Sequence, residues 1–130
     1  MFGIKTEIEA RQMVATVEES MKEAVAKGKF GDMYDLSLKR AHYMGVWGVL
    51  AEFDDAIEVL TEKVAEGKMT EVEKLYRLQS VLTRTAARGA DDQWSGSGNE
   101  QQRAIFRGKC EIIQELSWSL REQMETLVKN

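Results

Sequence analysis

With 130 residues, 43% hydrophobic and 31% charged, the chain carries enough apolar material for one continuous core and lies far from the composition of disordered segments. Its net charge is −4 and its basic residues are spread along the whole length, which argues against nucleic acid as the main partner, since phosphate binding needs a concentrated basic surface. One cysteine excludes an internal disulfide or a cysteine-held zinc or iron–sulfur centre, and the absence of proline from a chain rich in Ala, Glu, Lys, Leu and Met favours long helices.

The spacing of apolar residues predicts a single all-α domain, a four-helix bundle-like fold with a long central second helix. The first helix is expected over about 5–27, where Ile4, Ile8, Val14, Val17, Met21 and Val25 recur at mostly three- and four-residue steps. Lys27 and Gly28 then supply a basic last turn and a left-handed cap. The amino terminus turns charged at Lys5 and Glu7, so no secretory signal is expected.

The second helix is expected over 32–66, with Asp32 as its N-cap. Leu38, His42, Val46, Val49, Phe53, Ile57, Leu60 and Val64 form one apolar line. Leu36, Tyr43, Trp47 and Leu50 form another on a neighbouring face. A helix that is apolar nearly all round must be packed by several neighbours or by another subunit. Its most apolar stretch, Tyr43 to Ala51, is about half the ~18 residues a membrane span needs, so no membrane is expected.

Thr70 and Glu73 stand at capping-box spacing at the head of a third helix over 70–88, with Val72, Leu75, Leu78 and Leu82 as its stripe and Tyr76 widening it. Gly89 is read as its stop, followed by a flexible loop over 89–99 whose large residue is Trp94. The fourth helix, about 100–129, places Phe106, Ile113, Leu120 and Leu127 seven apart, with Cys110, Leu116 and Met124 beside them. The two short turns, Val25-Ala26-Lys27-Gly28-Lys29-Phe30 and Val64-Ala65-Glu66-Gly67-Lys68-Met69, read as shared turn chemistry more readily than as an internal repeat.

No catalytic or metal-binding constellation is legible, and no cofactor is expected. His42, the sole histidine, falls on an apolar line and reads as a structural imidazole. Cys110 reads as a buried inert thiol, with no second histidine to activate it. The interaction candidates lie elsewhere. Gly45 and Gly48 flank Val46 and Trp47 in the second helix and Gly108 interrupts the fourth; each either admits a close backbone within the chain or serves a subunit contact anchored by Tyr43 and Trp47. Trp94 either contacts a partner or plugs the bundle end. Trp118 lies off the heptad line and either extends the core or joins an interface. Glu52, Asp54, Asp55, Glu58, Glu62 and Glu66 face only Lys63, and form either a solvated face or an acidic docking surface.

The run Gln101-Gln102-Arg103-Ala104-Ile105-Phe106-Arg107-Gly108-Lys109, followed by Ile112, Ile113 and Leu116, resembles the arginine-glycine, then spaced-aliphatic pattern of small helical accessory proteins of tailed bacteriophages. The resemblance covers about a quarter of the chain and implies a virion or assembly component, in the host cytoplasm or incorporated in a virion. It transfers no functional residue. The expectation is therefore a noncatalytic protein–protein interaction or structural protein, partnered by another protein or by itself. The alternative is a small acidic inhibitor that binds a host protein through the Glu52–Glu66 face.

Overall fold

The computed structural model describes residues 6–94 and 99–129, with side chains for 6–88 and 99–128; over them the chain is helical, with no strand. Four helices follow in order: α1 (Glu7–Ala26), α2 (Phe30–Ala65), α3 (Glu71–Trp94) and α4 (Glu100–Lys129).

Local chemistry fixes most of the ends. Thr6 Oγ1 accepts the Glu9 N–H at 3.2 Å and starts α1. Thr70 Oγ1 accepts the Glu73 N–H at 3.1 Å, the cap expected for α3. Asn99 Oδ1 takes the Gln102 N–H at 2.8 Å and starts α4. The α1–α2 and α2–α3 turns are the same Schellman motif. Gly28 and Gly67 adopt φ of 71° and 76°, while Lys29 and Lys68 donate back to Ala24 and Lys63 at 2.8 and 3.0 Å.

Two boundaries differ from expectation. Helix α2 begins at Phe30, not Asp32, because the Lys29 carbonyl at the end of the turn already accepts the Asp32 N–H at 3.2 Å; no side-chain cap is needed, and Asp32 falls in the first turn. Helix α3 runs on through Gly89 to Trp94, since a glycine tolerated inside a helix stops nothing by itself and Ala90 to Gln93 are compatible with helix. Much of the expected 89–99 loop is therefore helix, and residues 95–98 lie outside the described residues, as does the side chain of Trp94.

Cross-helix contacts set the directions. Glu7 with Asp54 and Glu18 with Arg40 make α1 and α2 antiparallel. Ser37 with Gln101 and His42 with Glu111 make α2 and α4 parallel. Gln79 meets Ser117 across α3 and α4, and the first turns of α3 face the last turns of α4. Helix α2 is the centre and touches all three others; the backbone of α1 approaches α2 alone.

The core gathers Val46, Val49, Leu50, Phe53 and Leu60 of α2, Leu75, Leu78 and Leu82 of α3, and Ile112 and Leu120 of α4. The α1 stripe is shifted from the expected one. Val14 and Val17 are buried as expected, but Ala10 and Ala24 join them, whereas Ile8 and Val25 are 63% and 51% exposed. Alanine lets two helices come close, and a reading keyed on bulky side chains passes over it. Tyr76 does not widen the α3 stripe but points outward, and Leu127 near the end of α4 is 40% exposed.

Candidate functional site

The excess apolar surface of α2 is covered by the chain itself. A Cβ added at Gly45 would collide with the Ile105 carbonyl oxygen, and one at Gly108 with that of His42, so each glycine receives the backbone of the opposite helix. These two glycines set the α2–α4 distance. Gly48 differs. It is exposed and a Cβ there meets nothing, so neither close packing nor a chain contact accounts for it.

The other face of α2 lies under α1. Tyr43 and Trp47 are half-buried and pack against the core. The Trp47 Nε1–H donates to Glu7 Oε1 at 3.2 Å, and the Arg11 guanidinium lies 5.6 Å from the indole centroid while bonding the same carboxylate oxygen at 2.9 Å. The Trp47 hydrogen bond, then that of Arg11, hold the Glu7 carboxyl below its ordinary value. Trp47 is thus engaged in docking α1, while Tyr43 packs against the core and edge-on to His42.

The acidic face divides in the same way. Glu52 pairs with Arg88 of α3 at 2.6 Å, and Asp54 accepts the Glu7 N–H at 3.4 Å at the start of α1. Burial pushes the Asp54 carboxyl up, and that hydrogen bond opposes the shift. Asp55 and Glu58 are exposed on the part of α2 beyond the Glu7 end of α1.

His42 joins α2 to α4 through Nε2, 3.3 Å from Glu111 Oε2, with its ring edge-on to Tyr43 at 5.7 Å. Cys110, expected to be buried, is exposed, because the buried line of α4 runs through Ala104, Gly108, Ile112 and Leu120 instead. Partial desolvation by neighbouring atoms, then the charge of Glu111, raise the thiol, which keeps it protonated. Trp118 is 62% exposed on the polar side of α4 and donates to Glu122 Oε1 at 2.9 Å, so it does not extend the core.

Sequence reasoning missed the most exposed aromatic pair. Phe30 and Tyr34, 68% and 55% exposed, stand one turn apart on the first turns of α2. They flank the α1–α2 turn together with Val25 of the last turn of α1. Their four-residue spacing was legible, but with the helix read from Asp32, Phe30 belonged to a turn and the pair was never on one face. A shallow cleft of about 350 Å³ beside this turn is lined by Glu23, Ala24, Lys27, Lys29, Asp32, Asp35 and Leu36, a mixed-charge set.

Among the described residues no three His, Cys, Asp or Glu side chains are grouped to hold a metal ion, and no helix is long and apolar enough to cross a membrane. No family model, curated protein or solved structure matches the chain.

Proposed function

We propose that the chain is a noncatalytic, self-associating helical protein that works through protein–protein contacts. The observation that carries this reading is the Phe30–Tyr34 pair, two aromatic side chains more than half exposed and one turn apart on an ordered helix. Isolated exposed apolar residues are routine on folded proteins, but adjacent aromatics on a rigid element have the composition and low entropy cost of interface anchors. Tyr76 and Trp118, 61% and 62% exposed, add single aromatic contacts on α3 and α4.

Of the anchors first suggested by the sequence, Trp47 bonds Glu7 of α1 and Tyr43 packs against the core, so this reading takes the contact surface to be the α1–α2 turn. The resemblance of the 101–116 run to accessory proteins of tailed bacteriophages fits the same reading, an oligomeric virion or assembly component. Its glycine, Gly108, is occupied in packing α4 on α2, so that run supports the fold more than the outer contact. Size-exclusion chromatography with light scattering tests self-association. The mass should rise from monomer toward dimer as concentration increases, and a strict monomer at high concentration contradicts the reading.

A further inference from the structure

We infer that α1 exchanges between two copies of the chain, leaving its own α2 and packing in the same register on the α2 of the second copy. The inference rests on the self-association reading and specifies its geometry. Helix α1 is backbone-adjacent to α2 alone, so lifting it away leaves the packing of α2, α3 and α4 on one another intact. It buries mainly small side chains, Ala10, Val14, Val17 and Ala24, and its polar ties run to Arg40, Trp47 and Asp54 of α2. Every one of these contacts re-forms when a second copy supplies the helix. A short hinge between two such elements is the usual setting for exchange.

The hinge is residues 27–29, with Gly28 held at φ 71°. If those residues turn helical, α1 and α2 become one continuous helix and α1 is carried away from its own α2. In the exchanged pair the end of one α1 sits beside the start of the other copy's α2, as the short turn now places it beside its own. The two opened hinges therefore meet. Val25, Phe30 and Tyr34, exposed by 51%, 68% and 55% in the single chain, flank that meeting point. The apolar surface left bare is where exchange brings a second copy.

Two full-length experiments test the exchange. In the first, Gly28→Ala strains the left-handed turn but not a straightened helix. Sedimentation equilibrium should show its dimerisation constant raised by about tenfold or more, since both hinges are relieved. Gly67→Ala carries the same strain at φ 76°, but in the turn to α3, which α4 also holds; it should destabilise without promoting dimer. In the second, Glu18→Arg and Arg40→Glu variants are mixed, one of them isotopically labelled. Each alone opposes like charges across α1 and α2, whereas an exchanged heterodimer restores opposite charges at both contacts. Native mass spectrometry should show heterodimer about fivefold or more above either homodimer. Dimers that respond alike to Gly28→Ala and Gly67→Ala, or that mix without regard to charge, overturn the exchange while leaving self-association standing. A strict monomer overturns both.

Discussion

At the scale of single residues, glycines of equal helical penalty have opposite roles in this chain. Gly45 and Gly108 each face a carbonyl oxygen across the α2–α4 contact, so Gly45→Ala or Gly108→Ala should destabilise by about 1–3 kcal/mol through forced separation of the helices. Gly48 faces open space, and Gly48→Ala should stabilise by up to about 1 kcal/mol. Urea denaturation of the three variants checks the contrast. The sequence announced that these glycines needed reasons but not which reasons, because nothing in the composition of α2 tells which of its faces meets a backbone.

Two carboxylates at the head of α1 carry pH dependence of opposite sign. Glu7 is held down by Trp47 and Arg11, so the folded chain binds its proton less readily than the unfolded chain. Its stabilisation is present above the ordinary carboxylate range and is lost as pH falls through the folded value. Asp54 is pushed up, chiefly by burial, so its contribution is present in acid and is lost as pH rises through its folded value. Melting temperature against pH should therefore show Glu7→Gln weakening the fold at neutral pH with little further loss in acid. Asp54→Asn should give a small gain at neutral pH that disappears in acid.

At the scale of elements, only one of the three helix starts made by a side chain, that of α3, is identified from the sequence; the caps at Thr6 and Asn99 are not. Thr70 caps α3 as its spacing with Glu73 implies, and Thr70→Ala should cost about 1 kcal/mol, measured by thermal or chemical denaturation. The two glycine turns were legible as shared chemistry because a Schellman motif is written in adjacent residues. The start of α2 and the end of α3 were not. At Phe30 the preceding turn hands its last carbonyl directly to the helix, and at Gly89 the glycine lies within a helix that continues to Trp94. The α1 stripe is legible at Val14 and Val17, which are buried, but not at Ala10 and Ala24, small residues that take the places expected of Ile8 and Val25.

At the scale of the whole molecule, the sequence marked α2 as having more apolar surface than one neighbour can cover, and the fold resolves it: α4 takes one face through Gly45 and Gly108, and α1 takes another over Trp47. That arrangement depends on helix directions and registers that no local pattern encodes. It also moves the functional question from the middle of α2 to its first turns, where Phe30 and Tyr34 stay exposed. The most direct test of self-association at this turn is sedimentation equilibrium of the full chain beside a Phe30→Ser/Tyr34→Ser variant, with each monomer's melting temperature measured in parallel. The dimer should weaken by about tenfold or more in the variant while the melting temperature changes little, as expected for exposed hot-spot aromatics. A dimer of unchanged strength, or a wild-type chain that remains monomeric throughout, would contradict it.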